Sequence, residues 1–246
     1  MAHTTIDIRT DDGTCPAHVF QPAGEGPWPG VLMFMDGVGI RPAMFEIAER
    51  LASAGYYVLL PDLFYRAGPY EAPDPKRLFT DEALRKEWFA KFFIKDFADH
   101  AMRDTVAFLA HLAAAPNVRQ PKIGTTGYCM GGRLSLIAAG RFPDRVAAAA
   151  AFHPGNPAND APDSPHLLAP QMKATIYVAG ASEDPTFPEE QKRRLEQSLT
   201  AARVDHVVET YPARHGWVPR DMPVHDRDNA ERHWKMLLDL FDRTLR

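Results

Sequence analysis

Lys122-Ile123-Gly124-Thr125-Thr126-Gly127-Tyr128-Cys129-Met130-Gly131-Gly132 is the stretch on which the reading of this chain turns. An apolar run ends in Gly127-Tyr128-Cys129-Met130-Gly131, and an apolar-rich helix pattern follows at Leu134, Leu136, Ile137 and Ala138. Strand, sharp turn and helix in the form G-x-C-x-G make the thiol version of a nucleophile elbow. The turn strains its central residue, so the flanking positions must carry little or no Cβ to let strand and helix approach. It also sets Cys129 at a helix N-terminus, where unpaired N–H groups and the dipole favour a thiolate. The Met130 N–H would then point at a developing oxyanion. A free cysteine before a Gly-Gly turn can equally be a small buried apolar residue, so the rest of the chain has to arbitrate.

Outward from the elbow, the chain alternates strand and helix. Thr4 to Arg9 and Cys15 to Phe20 flank the turn Asp11-Asp12-Gly13 and predict a hairpin. The Pro- and Gly-rich stretch from Gln21 to Pro29 reads as a loop. Val31 to Met35 is a short, continuous apolar run, as a strand buried on both faces would be. A helix pattern from Pro42 to Ala54 closes at Gly55, and Tyr56 to Leu60 is the next strand, so a parallel right-handed crossover is expected. Phe64 to Pro75 shows no apolar period. Helices are predicted over 81–93 and 96–115, then a strand at Ile123, the elbow, and a helix to about Arg141. Strands follow at 146–152, 175–179 and 206–211, with a Pro-rich loop at 156–170 and helices at 188–201 and 227–245. That order predicts one α/β domain over 1–246 with a mainly parallel central sheet flanked by helices.

The balance of 45% hydrophobic and 24% charged residues in 246 suits a full globular core. A net charge of −4, without a basic cluster, argues against nucleic acid as a partner. No apolar run approaches the roughly 20 residues that span a bilayer, and Met1 to Thr10 does not read as a secretory signal. Two cysteines far apart, Cys15 and Cys129, read as reduced thiols of a cytoplasmic protein. No C-x-x-C, H-E-x-x-H or P-loop pattern occurs, so metal and nucleotide sites have no support in the sequence. Oligomeric state is left open.

Ligands of parallel sheets bind at the carboxyl ends of strands. Asp184 follows the 175–179 strand, and His215 follows the 206–211 strand. Cys129, Asp184, His215 is therefore nucleophile, acid, histidine, the chain order of the α/β-hydrolase architecture. In those roles Cys129 attacks a carbonyl, His215 moves the proton and Asp184 holds the imidazole tautomer. Glu183 is the rival acid, less favoured because Asp184 sits next to Pro185. His153 and His206 are rival histidines: His206 lies inside a strand, whereas His153 sits at a strand end and is expected to line the cleft.

The chain resembles the dienelactone hydrolase (carboxymethylenebutenolidase-like) family. The resemblance rests on 33–39 (M-F-M-D-G-V-G), 55–66 (G-Y-Y-V-L-L-P-D-L-F-Y-R), 127–132 (G-Y-C-M-G-G), 180–188 (G-A-S-E-D-P-T-F-P) and 214–217 (R-H-G-W). It implies cofactor-free hydrolysis of a small ester or lactone through an acyl-thiol intermediate. It also implies that Gly37 gives a second oxyanion N–H and that Asp36, Glu in the family, contacts the resting nucleophile. A carboxylate there would favour the neutral thiol until substrate displaces it. Where the family has a substrate arginine this chain has Asp81, with Arg85 one helical turn on. Tyr128, Arg85, Trp88, His153 and Trp217 are the candidates to touch substrate. The alternative function class is a non-catalytic, thiol-redox or ligand-binding protein on the same fold, and the paired Asp184 and His215 favour the hydrolase.

Overall fold

The computed structural model describes residues 1–246, the side chain of Gln120 excepted. The hairpin forms as expected: β1 (Ala2–Thr10) and β2 (Gly13–Gln21) pair antiparallel, with Thr10 opposite Gly13. β3 (Trp28–Phe34) starts earlier than the apolar run suggests, because the Trp28 N–H donates to the Asn117 carbonyl at 2.8 Å. The remaining strands are β4 (Tyr57–Pro61), β5 (Val118–Tyr128), β6 (Val146–Phe152), β7 (Thr175–Glu183) and β8 (His206–Arg214). They form one sheet in the order β1-β2-β4-β3-β5-β6-β7-β8. β2 runs antiparallel to β4, and every pairing from β4 through β8 is parallel. This is the α/β architecture expected from the alternation of elements.

Helices α1 (Pro42–Ser53), α2 (Pro75–Thr80), α3 (Glu82–Phe92), α4 (Phe97–Ala114), α5 (Met130–Arg141), α6 (Glu189–Ala201) and α7 (Arg227–Leu245) flank the sheet. No apolar period announces α2; Pro75 opens it, and Asp74 caps it by accepting the Lys76 N–H at 2.9 Å. The Pro-rich 156–170 loop likewise contains a 3-10 turn, Pro165–Gln171.

Period-two alternation divides the core across the sheet. In β6, Ala148, Ala150 and Phe152 pack in the cluster that holds Trp234, Leu237 and Phe241 of α7. Ala149 and Ala151 point the other way, to Leu136 of α5 and Leu195 and Leu199 of α6. Packing rather than surface charge holds α7. Its buried residues Ala230, His233, Trp234, Leu237, Leu240, Phe241 and Leu245 follow helical spacing. Truncating one such leucine to alanine costs about 2–5 kcal/mol. The exposed Arg50–Glu231 pair at 2.6 Å contributes at most about 1 kcal/mol. No helix is long and apolar enough to cross a membrane among the described residues.

Candidate active site

β5 delivers the elbow. Cys129 has φ 53° and ψ −113°, a strained conformation that only surrounding packing can hold. That packing depends on glycine. A Cβ on Gly127 would lie 2.2 Å from the Gly131 carbonyl oxygen, and one on Gly131 would lie 2.3 Å from that of Phe34 and 2.5 Å from that of Met35. The same contact brings the end of β3, and so the Asp36-Gly37 turn, against the first turn of α5. The Cys129 N–H is shared between the Phe152 carbonyl and His153 Nδ1, both at 3.1 Å.

β7 and β8 bring the other two groups. His215 Nδ1 donates to Asp184 Oδ2 at 2.7 Å, with Thr186 Oγ1 at 3.2 Å. Asp184 is saturated: its Oδ1 accepts from the Thr186 N–H at 2.9 Å, the Thr186 hydroxyl at 2.8 Å and the Phe187 N–H at 3.2 Å. Burial works against a charged His215, but the charge of Cys129 and hydrogen bonds to Asp184 and Cys129 outweigh it and raise the imidazole to about 10. His215 thus faces Asp184 with one nitrogen and Cys129 with the other. One strand end lies between Cys129 and Asp184: β6 separates β5 from β7, and its end carries His153. Glu183, the rival acid, is exposed and lies 3.7 Å from Arg214. His206 Nδ1 is 2.8 Å from the Val204 carbonyl, on β8 far from this strand end.

The remaining sequence candidates sit differently from expectation. His153 is 1% exposed, and its ring meets those of His215 and Trp217 at 5.0 and 4.8 Å. It supports the elbow from below rather than lining the cleft. Because Nδ1 accepts a hydrogen bond, the proton sits on Nε2, and burial with His215 alongside keeps the ring neutral. Tyr128 is wholly buried and sends its hydroxyl to His233 Nε2 at 3.0 Å, under α7. Trp217 is also buried, stacked on Tyr211. Trp88 donates from Nε1 to the Gly37 carbonyl at 2.9 Å, bracing the turn expected to face the oxyanion. Arg85 bonds the Phe79 carbonyl at 3.3 Å. Among the described residues it makes no ion pair with Asp81, which instead caps α3 by accepting the Leu84 N–H at 3.0 Å.

Asp36 departs furthest from expectation. Arg41 grips it with both nitrogens, Nη1 to Oδ1 at 2.7 Å and Nη2 to Oδ2 at 2.9 Å, and the Val38 N–H adds a bond to Oδ1 at 2.9 Å. It makes no hydrogen bond to Cys129 among the described residues. Its carboxylate is matched to a guanidinium, which the expected contact with the thiol left out of account. Arg41 was not marked by any motif, nor was its second partner, Asp221, 180 positions along the chain.

Cys129, Met130, Arg133 and Leu134 form one wall of a cleft of about 660 Å3. Phe93, at the end of α3, faces them together with Asp96 and Phe97 at the start of α4, and Asn156, Asp163 and Thr186 close the rim. A further groove of about 760 Å3, between α1 and α7, contains neither Cys129 nor Thr186. No metal-binding group of His, Cys, Asp and Glu occurs among the described residues.

Buried neutral histidines make a pH prediction. Burial pushes His233 down to about 3, while the unfolded chain protonates near 6.5. Stability is therefore complete above pH 6.5 and falls as pH drops toward 3, by up to about 1.4 kcal/mol per pH unit for each such histidine. His153 acts in the same direction. The melting temperature should fall between pH 7.5 and 5, and less steeply in His233→Gln; equal slopes would place the effect elsewhere.

A strained residue on a strand-to-helix turn, facing a histidine and carboxylate from later strand ends, defines an α/β-hydrolase-fold enzyme. The chain belongs to the dienelactone hydrolase family, whose model matches residues 15–245. A carboxymethylenebutenolidase of Rhodococcus opacus is 27% identical over 252 residues, covering 99% of this chain and 93% of its own. A Klebsiella pneumoniae structure described as a candidate dienelactone hydrolase superposes with TM-score 0.85 at 21% identity, over 98% of both chains. A dienelactone hydrolase-like promiscuous phosphotriesterase from metagenomic libraries gives 0.77 at 24%, over all of both. The protein is a hydrolase of this family.

Proposed function

We propose that this enzyme hydrolyses a small ester or lactone through an acyl-thiol on Cys129, with no cofactor. The reading is supported chiefly by His215, which meets Asp184 at 2.7 Å and Cys129 on its other side. Cys129 Sγ attacks the carbonyl carbon, and the carbonyl electron pair moves to oxygen, within reach of the Met130 and Gly37 N–H groups. Collapse breaks the C–O bond, and His215 gives its proton to the departing oxygen. In a lactone that hydroxyl stays on the acyl chain. Water then attacks the thioester as His215 takes its proton, the C–S bond breaks, and the acid leaves. Both cysteines are free, as a reducing, cytoplasmic setting would keep them. Taken together, residues 1–246 act as one catalytic domain.

The cleft favours an uncharged substrate. Its carboxylates, Asp96, Asp99 and Asp163, face a single guanidinium, Arg133. Arg133 is already occupied by Asp163 at 3.0 Å and the Asn156 carbonyl, whereas Asp99 pairs with Arg141 at 3.1 Å. An incoming carboxylate meets Asp96, which has no ion-pair partner among the described residues, and has to displace Asp163. A panel of p-nitrophenyl esters and small lactones tests the activity. Within it, a lactone lacking a carboxylate should exceed its carboxylated counterpart in kcat/KM by at least about fivefold, the effect of roughly 1 kcal/mol. Arg85→Ala should leave that ratio unchanged. A better carboxylated substrate, whose advantage Arg133→Ala removes, would make Arg133 an anion site instead.

A further inference from the structure

We propose that Arg41 is a positioning residue of the hydrolytic centre: it latches the Gly37 turn to the segment behind His215 and holds the charge of Asp36 away from Cys129. The proposal rests on the catalytic reading of Cys129 and Gly37 given above.

Arg41 is 6% exposed, and each of its nitrogens has a partner. On one side it takes both oxygens of Asp36 and, through Nη1, the Gly39 carbonyl at 3.1 Å. The turn closes on itself with the Gly39 N–H donating to the Asp36 carbonyl at 3.2 Å. Gly37 lies between, its carbonyl fixed by Trp88 and its α-carbon so close to Phe93 that a Cβ would lie 2.9 Å from the ring. The Gly37 N–H shares its peptide plane with the Asp36 carbonyl, which the Gly39 N–H holds inside the turn braced by Arg41, while Trp88 fixes the next peptide through the Gly37 carbonyl. On the other side Arg41 bonds Asp221, Nε to Oδ2 at 2.6 Å and Nη2 to Oδ1 at 3.2 Å.

Asp221 belongs to a segment that folds back on the histidine loop. The Asp226 N–H donates to the Trp217 carbonyl at 3.1 Å, and His225 Nδ1 donates to the same carbonyl at 3.1 Å. Trp217, two residues past His215, is fully buried against Tyr211 and His153. One guanidinium therefore ties the turn after β3 to the loop after β8, the two segments that must stay in register for oxyanion donor and proton carrier to meet one carbonyl. It also leaves Asp36 without a free negative charge, although the Met35 carbonyl next to it abuts Gly131 of the elbow. The other charged or titratable groups around Cys129 are His215 with Asp184 behind it, neutral His153, Arg133 with Asp163, and Asp96 and Asp99 across the cleft.

Two measurements separate latch from charge. One is ester or lactone turnover; the other is the rate of Cys129 alkylation by iodoacetamide against pH, which needs no substrate. In Arg41→Met, kcat should fall about 10- to 100-fold with KM little changed, because the misplaced donor acts on the transition state. The midpoint of alkylation should rise by about one pH unit, as a carboxylate freed near a thiolate opposes it. Arg41→Met/Asp36→Asn should restore the alkylation midpoint and leave kcat low. Asp221→Asn, at a side chain 31% exposed, should lower kcat without moving the midpoint.

A kcat within twofold of wild type in both the double variant and Asp221→Asn overturns the latch, even if Arg41→Met alone does not fold. A midpoint shift that persists after Asp36 is replaced overturns the electrostatic part. If Cys129→Ala keeps its turnover, the catalytic reading fails separately, and the alkylation result still decides how Arg41 acts on the thiol.

Discussion

Cys129→Ala should lower kcat/KM for any accepted ester or lactone by about a thousandfold or more, as removal of a nucleophile from a triad generally does. Alanine removes only the thiol and fits the space, so folding should survive. The strained φ of 53° is tolerated by alanine no worse than by cysteine. Intact-mass spectrometry after a substrate pulse should find the acyl group on Cys129 in the wild type and none in the variant. Cys15 is an internal control: it is fully buried, its Sγ points at the Asp62 carbonyl at 3.4 Å, and burial pushes its thiol far up. An adduct at Cys15, or near-wild-type turnover in Cys129→Ala, would remove the proposed mechanism.

Asp184→Asn should cost roughly 100- to 10,000-fold in kcat/KM with little change in overall folding. The amide keeps the shape, but its NH2 can face His215 Nδ1–H, which favours the wrong tautomer and withdraws support from the imidazolium. The same substitution has a stability signature. His215 is raised to about 10 by Cys129 and Asp184 against its burial, so its charge stabilises the fold in full below pH 6.5. That contribution is lost as pH rises through about 10. The melting difference between wild type and Asp184→Asn should therefore be larger at pH 6 than at pH 10. A difference independent of pH would mean that Asp184 acts only by packing and by its three bonds to Thr186 and Phe187.

How much of this could be read in the sequence follows the range of each interaction. The elbow is local: Gly127, Cys129 and Gly131 are four positions apart at most, and their close approach to the backbones around them demands that spacing. Strand ends are local too, so the order Cys129, Asp184, His215 placed those groups on one edge of the sheet before any contact was known. Element ends were less legible: β7 runs on to Glu183 and β8 to Arg214, beyond their apolar cores. Side-chain direction was not legible at all. Tyr128 neighbours Cys129, yet strand alternation turns it under the sheet to His233, while Asp81 and Trp88 look like cleft residues and serve as a helix cap and a backbone brace.

By itself the sequence determined the α/β alternation, the elbow and the placing of Cys129, Asp184 and His215 at successive strand ends, because each depends on residues close together or on strand termini. Only the tertiary structure decided what Asp36 does and which charges line the cleft. The carboxylate's fate depends on Arg41, itself held by Asp221 from 180 positions away, and the cleft gathers Asp96, Arg133 and Asp163 from separate segments. Charges interact through space and leave no periodicity in the chain, so their pairing is fixed only when the sheet brings those segments to one edge.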